Sequence, residues 1–298
     1  MLRVGTRRSP LALAQAGEIV RLLDAAGIPA RLVPLATAGD AGAGATPAGP
    51  AGRKGSFVGE IVRALLAGDI DVAVHSAKDL PAEDPPGVVI AAVPERADPL
   101  DVLVTRDGSL PDGAVVGTSS LRRRTQLVRW RPDVRVEDLR GNVDTRLRRL
   151  DEGVVDGLVL AAAGIARLGL RLAYAEPLEL ERMLPAPGQG ALAVQVRGDD
   201  PAALRATDAF DHPASRTAFE TEREIVRSLG ADCALPLGAY AEVLGERVRV
   251  RALVADGRGS AASADVTEAG GAAAAAAAAA ALLAGGAGPM LAAARGSS

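Results

Sequence analysis

The sequence predicts an α/β protein completed by a small α+β segment, and three observations predict it. Short apolar strands alternate with amphipathic helices from the start of the chain to about residue 212. Several strands, such as DVAVHS (71–76), carry few polar residues, the pattern of a strand buried on both faces of a parallel sheet. Beyond residue 212 one helix is followed by three strands with no helix between them. Alternation calls for parallel sheets with right-handed crossovers, and the closing run calls for α+β.

LRVGT (2–6) reads as the first strand. Ser9-Pro10 supplies an N-cap and a proline at the first helical position, and the helix runs to Gly27. ARLVPLAT (30–37) is the second strand. Residues 38–53 are Gly/Ala/Pro-rich without apolar period and read as a lid-like loop. A helix over 56–68 precedes DVAVHS, and VVIAAV (88–93) is a further strand. DVLVT (101–105) and AVVGT (114–118) follow, and Ser119 or Ser120 caps a helix to Arg131. DVRVEDL (133–139) is a strand, 142–153 a helix, 157–165 a strand running into a helix, and ALAVQVR (191–197) a strand. After the 214–229 helix come LPLGAYAEVLG, RVRVRALVA and a third strand ending in DVTE. Ten alanines (272–281) then open a last helix, expected to run out at the glycines after Leu283.

Composition removes several function classes. Of 298 residues, 48% are hydrophobic and 24% charged, an ordinary globular balance with length enough for a sizeable core. The formal net charge of −3 argues against coating nucleic acid or an anionic membrane. No window has the length and apolar character of a membrane span, and the N-terminus is expected to hold no secretory signal. Cys233 is the single cysteine, so no internal disulfide or multi-cysteine metal site forms, and a reducing cytosol is expected. His75 and His212 have no nearby acidic cluster, so no metal is expected. A monomer is expected, because no repeated apolar surface pattern demands a partner.

The chemistry-bearing residues collect where strands end. Thr6-Arg7-Arg8-Ser9 follows the first strand, and His75-Ser76-Ala77-Lys78-Asp79 closes DVAVHS and follows it. Gly117-Thr118-Ser119-Ser120-Leu121-Arg122-Arg123 follows AVV, and Arg140-Gly141-Asn142 follows VRVEDL, with Arg146 a turn further on. Open α/β sheets bind ligands beyond the carboxyl ends of their strands. Three of these clusters open a helix, where free N–H groups, hydroxyls and arginines together suit an anion. Residues 121–150 hold ten arginines against four acidic residues. Any single one of those arginines also reads as part of a solvated basic face. The set suits a ligand with several carboxylates or phosphates, since Arg binds these bidentately. Asp79 reads as a turn residue or as an acid/base group. Cys233, in LGADCALPLG, reads as a small buried residue or as an accessible nucleophile just past a helix.

The ordered motifs TRRSPLALAQA, KGSFVGE, DVAVHSAKDLP, VGTSSLRRRTQL, LRGNVDTRL and LPAPGQGALAVQVR, then a cysteine loop and LPLGAYAE, cover nearly the whole chain. Together they make it resemble the porphobilinogen deaminase (hydroxymethylbilane synthase) family. The resemblance implies two periplasmic-binding-protein-like α/β domains, 1–94 with 191–208 and 99–184, with the active cleft between them. A small α+β domain over 213–298 would carry the cysteine. It implies a dipyrromethane cofactor, made from two porphobilinogen units and joined through Cys233 by a thioether. Four further porphobilinogen units are added, each with loss of ammonia, and hydroxymethylbilane is released by hydrolysis.

Residue by residue, the resemblance assigns Asp79 as the catalytic aspartate. Ser76, Lys78, Asp79, Thr118, Ser120, Arg122, Arg123, Arg140 and Gly141 would contact the cofactor. Arg7, Ser9, Gln15, Lys54, Phe57, Arg140, Arg146 and Gln189 would meet substrate. The partner implied is the small molecule porphobilinogen, with no nucleic acid and no membrane. Arg122 and Arg140 are both expected to face a wet cleft, so that replacing either leaves stability nearly unchanged. Asp232, where Gly is common, is expected to raise the pKa of the neighbouring thiol. A non-catalytic α/β module binding anions or polycarboxylates would explain the arginines too, without needing Cys233 or Asp79.

Overall fold

The computed structural model describes residues 1–36, 53–231 and 235–296. The predicted loop 38–53, apart from its last residue, and Cys233 therefore lie outside the described residues. In chain order the elements are β1 (Leu2–Arg7), α1 (Pro10–Ala25), β2 (Ala30–Leu35), α2 (Arg53–Leu66), β3 (Val72–Ser76), β4 (Val88–Ala92), β5 (Asp101–Thr105) and β6 (Val115–Gly117). Next come α3 (Leu121–Trp130), β7 (Arg135–Glu137), α4 (Val143–Asp151), β8 (Gly157–Ala161), α5 (Ala162–Arg167), β9 (Ala175–Leu178) and β10 (Leu192–Arg197). The chain closes with α6 (Pro201–Asp208), α7 (Pro213–Ser228), β11 (Leu237–Leu244), β12 (Arg247–Ala255), β13 (Ala261–Ala269), α8 (Gly271–Ala284) and α9 (Ala287–Gly296).

The chain forms two compact units, residues 1–97 with 191–219 and residues 98–190 with 220–298. The first is built on a five-stranded sheet in the order β2-β1-β3-β10-β4. Ser9 caps α1 as expected, its hydroxyl accepting the Ala12 N–H at 3.3 Å, with Pro10 at the start of the helix. Ala16, Ile19 and Leu23 recur at helical spacing and bury against Val4, Val72, Val74 and Val194, with Ala203 and Ala206 of α6 in the same cluster. On the other face Val58, Ile61, Val62 and Leu65 of α2 meet Ala73, Ala191 and Ala193. Burial on both faces explains why β3 and β10 read as near-continuous apolar runs.

The second unit repeats the same strand order with different residues, β7-β6-β8-β5-β9. Leu127 of α3 packs with Val116 and Val159 on one face, and Leu150 of α4 with Val102, Leu158 and Leu160 on the other. A separate antiparallel sheet, β11-β12-β13, also belongs to this unit. The alanine helix α8 lies against it, burying Ala274, Ala275, Ala278, Ala279 and Leu282. Gly238 of β11 runs so close to Leu184 that an added Cβ would stand 2.9 Å from the Leu184 carbonyl oxygen, so only glycine fits. Buried Glu222 of α7 ties the loop before β10 to the same sheet. It accepts the Gly188 N–H at 2.6 Å and the Ala241 N–H at 2.8 Å.

Neither large sheet is purely parallel, which corrects the expectation of parallel sheets. β10 is antiparallel to β3 and β4, and β5 is antiparallel to β8 and β9. The reason lies in the connections. A parallel neighbour in the same sheet needs a crossover segment, generally a helix. β5 and β10 each follow a strand of the other sheet, β4 and β9, so no helical crossover within its own sheet sets the direction of either. The strand expected over 133–139 shrinks to the three residues of β7, and β9, α6 and α9 were not anticipated. Among the described residues, no single helix is long and apolar enough to cross a membrane.

Candidate active site

In the first unit, β1 and β3 are parallel neighbours, so the residues following them share one sheet edge. Arg7 ends β1, Ser9 caps α1, and Gln15 is buried on the next turns of α1. Ser76 ends β3, and Ala77–Asp79 form a 3-10 turn that leaves Lys78 and Asp79 half-buried at the same edge. His75, one residue earlier, is buried. Burial pushes its imidazole down to about 4, against the Asp79 charge and the Gln195 side chain, so the ring is neutral at working pH.

In the second unit, β6 and β7 are parallel neighbours, and both run into loops that open helices at one edge. Thr118 is buried, its hydroxyl oxygen accepting the Ser120 N–H at 3.2 Å. Ser120 caps α3 by accepting the Arg123 N–H at 3.4 Å. Gly141 adopts φ +117°, a conformation that L side chains rarely take. Its carbonyl oxygen accepts the Arg146 Nε–H at 2.9 Å. Arg140 is exposed, its Nε 3.1 Å from Asp138 Oδ2.

Arg122 and Arg123 stand differently. Both are buried, and both pair with Asp101, which is completely enclosed. Arg122 donates from one terminal nitrogen to Asp101 Oδ2 and to the Leu184 carbonyl, each at 2.6 Å. Arg123 donates to Asp101 Oδ1 from Nε at 3.1 Å and from a terminal nitrogen at 2.8 Å, and to the Val159 carbonyl at 2.8 Å. Buried Gln189 adds its amide N–H to Asp101 Oδ1 at 2.9 Å. Burial alone would raise the Asp101 carboxyl, but the two guanidinium charges and these hydrogen bonds outweigh it. The group is held well below the usual carboxylate range. Burial lowers Arg146, and the nearby Arg123 charge lowers it further.

The expectation that Arg122 faces water is therefore overturned, and the physical reason is the enclosed Asp101 beneath it. Asp101 itself was missed. Its signal was present as an acid opening the otherwise apolar strand DVLVT. Only the antiparallel entry of β5 brings that first residue opposite Ala161, the last residue of β8, at the carboxyl edge of the parallel strands. Lys54 and Phe57 lie on α2, but their side chains, like Cys233, lie outside the described part.

Fold and site together define a class: an α/β protein that offers arginine and hydroxyl donors at the carboxyl edges of its sheets to an anionic small molecule. Residues 2–205 match the family model described as "Porphobilinogen deaminase, dipyromethane cofactor binding domain". Residues 217–284 match "Porphobilinogen deaminase, C-terminal domain". The chain belongs to the porphobilinogen deaminase family. It is 46% identical over 265 residues to a porphobilinogen deaminase of Roseiflexus sp. (strain RS-1), covering 86% of this chain and 87% of the relative. It is 48% identical over 246 residues to that of Thermus thermophilus, covering 80% of each. Among solved structures, a nutrient binding protein from Burkholderia cenocepacia bound to methionine matches at 14% identity and a TM-score of 0.43, over 76% of this chain and 95% of that one.

The side chains present fit the cofactor that the family model names. A dipyrromethane derived from porphobilinogen carries carboxylates, and the second unit has an arginine pair with one shared counter-ion. Arg122 Nε is buried with no hydrogen-bond partner among the described residues, a donor still to be satisfied.

Two outcomes are expected. Arg122→Leu strips a buried carboxylate of one partner and should destabilise the protein by about 3 kcal/mol. Arg140→Leu, at an exposed position, should stay within about 0.5 kcal/mol of the parent. Urea unfolding of both variants measures the difference, and equal stabilities would contradict the burial of Arg122. The second outcome concerns His75. The unfolded imidazole takes its proton near 6.5 and the folded one near 4. The unfolded state therefore binds more protons in that window, and stability falls as pH drops through it. The loss should reach on the order of 3 kcal/mol by pH 4. His75→Gln should flatten this part of the stability–pH curve, and an unchanged slope would count against the buried neutral ring.

Proposed function

We propose that this chain is the transferase that joins four porphobilinogen units head to tail on a dipyrromethane primer and releases hydroxymethylbilane for tetrapyrrole synthesis. The observation that carries the reading is the match of residues 2–205 and 217–284 to both domains of the porphobilinogen deaminase family. When bound, the dipyrromethane supplies a pyrrole carbon able to accept the next unit. This chain's own residues do the rest. Cys233 would hold the primer by a thioether. Arg122, Arg123 and Arg140, with Lys78, meet its carboxylates, and Ser76, Thr118, Ser120 and Gly141 supply further contacts. Arg7, Ser9, Arg140 and Arg146 bind the acetate and propionate of the incoming unit, with Gln15, Lys54, Phe57 and Gln189 lining the site. Bidentate guanidinium contacts suit those groups.

Loss of ammonia from the aminomethyl group of porphobilinogen leaves a cationic azafulvene. The free pyrrole carbon that the primer would supply would take up this cation in a carbon–carbon bond, and the proton on that carbon is the one this chain's residues would help to remove. Asp79, half-buried in the turn after β3, would stabilise positive charge at a pyrrole nitrogen and assist the proton's departure. Water completes the release of the tetrapyrrole. The chain is read as a cytoplasmic monomer that acts on a small molecule, with no nucleic acid and no membrane. The same reading divides the chain into three domains, 1–94 with 191–208, 99–184, and 213–298, most of the last two lying in the second compact unit. An anion-binding module without catalysis is not favoured by the family match.

Intact mass of the denatured protein should exceed the chain mass by two porphobilinogen-derived pyrroles, and Cys233→Ser should lack the excess and show no turnover. Retention of the full excess by the Cys233→Ser protein would exclude this attachment. Asp79→Asn keeps the shape of the side chain and removes its charge. Single-turnover condensation should slow about 100-fold or more, with melting nearly unchanged. A variant condensing at the parent rate would remove Asp79 from the chemistry.

A further inference from the structure

Asp101 lies outside every assignment made from the family resemblance, yet it organises the arginine pair to which cofactor contacts are assigned. One enclosed carboxylate faces two enclosed guanidinium groups, so the cluster keeps one positive charge in excess. Arg146 also feels the Arg123 charge, with the Asp138 charge acting on it in the opposite sense. A buried excess charge is unfavourable until an anion completes it. Which donors remain for that anion depends on how Asp101 uses the others.

On Arg123, Asp101 Oδ1 takes Nε and the adjoining terminal nitrogen, the whole side edge of the guanidinium. The Val159 carbonyl takes a hydrogen of the remaining nitrogen. On Arg122 the pattern is reversed. Asp101 Oδ2 and the Leu184 carbonyl converge on one terminal nitrogen. The other terminal nitrogen has only a long contact, 3.5 Å, to Gln189 Oε1, and Nε has no hydrogen-bond partner among the described residues. The side edge of Arg122 thus carries one N–H group without a partner among the described residues and one held only by that long contact. That edge is the fork a carboxylate takes bidentately.

We propose that Asp101 is a positioning residue of the reaction, holding Arg122 and Arg123 on one carboxylate so that the Nε edge of Arg122 is presented to a carboxylate of the bound pyrrole chain. The assignment rests on the functional reading above and adds the residue that sets its donor geometry. Gln189, through its amide N–H on Oδ1 and its carbonyl oxygen near Arg122, locks the same arrangement.

Two substitutions test it. Asp101→Asn keeps the size but sets an amide NH2 against a guanidinium, so one arginine is released and the two like charges separate. Asp101→Glu keeps the charge and shifts it by one methylene. Each folded variant should raise KM for porphobilinogen at least 10-fold while kcat changes less than about 3-fold, the signature of lost uniform binding. The second readout is intact mass. At limiting porphobilinogen the loaded fraction of folded variant should fall below half, and excess porphobilinogen should restore it. A purely structural Asp101 predicts parent KM, full loading of whatever folds, and kcat following the folded fraction measured by circular dichroism. That result overturns the proposal, as does failure of both variants to fold, which would make Asp101 a folding residue. If the parent protein itself shows neither mass excess nor turnover, the enzymatic reading fails first and the assignment falls with it.

Discussion

Enclosed charge must be balanced, and in the second unit a single carboxylate balances most of it. Asp101 has no exposure, and it receives donors from Arg122, Arg123 and Gln189, which come from α3 and from the loop before β10. Three separated stretches of chain thus meet at one side chain. The same donors reach the carbonyls of Val159 and Leu184, so the first turn of α3 is tied to β8 and to the loop beyond β9. A carboxylate in such a setting can be removed only by leaving guanidinium groups buried without a counter-ion. Placement of the arginines and integrity of the unit are therefore one physical problem.

The sheets make that placement possible. Both large sheets have three parallel strands followed by one antiparallel strand and an edge strand. Parallel strands send their following loops to a common edge, which is why clusters far apart in sequence converge in each unit. The antiparallel strand does the reverse and delivers its starting residue there. In β5 that residue is Asp101. In β10 the start follows the loop of Gly188, Gln189 and Gly190, whose two glycines adopt φ +73° and +87°. The site of the second unit is built from both ends of strands, and the backbone turn at Gly188 is anchored by Glu222.

Much of this was legible in the residues. Most of the strand and helix alternation, the Ser9-Pro10 cap, the cap expected at Ser119 or Ser120 and found at Ser120, and the largely apolar strands appear where the periodicity places them, because each is decided by contacts within a few residues. The strand-end clusters around Arg7, Asp79, Thr118 and Arg140 were readable for the same reason. A parallel strand that feeds a helix puts its carboxyl end at the ligand edge whatever the rest of the fold does. The ordered motifs identified the family by resemblance.

Other features depended on distant parts of the chain. Nothing near Arg122 distinguishes it from Arg124 or Arg129. It is buried because Asp101, 21 residues earlier, lies beneath it. Strand direction in β5 and β10 followed from the absence of a crossover helix rather than from the apolar pattern, which reads the same in either direction. His75 carries the same sequence signal as any strand histidine, and only its enclosure moves its proton affinity to about 4. The sequence by itself determined most of the elements, the caps of α1 and α3 and the donor types offered at the sheet edges, because these follow from local sterics and periodicity. Tertiary structure alone decided which arginines are enclosed, which carboxylate they share and which N–H groups remain for a ligand. Those outcomes depend on which residues meet in the fold and on how far water is excluded from them.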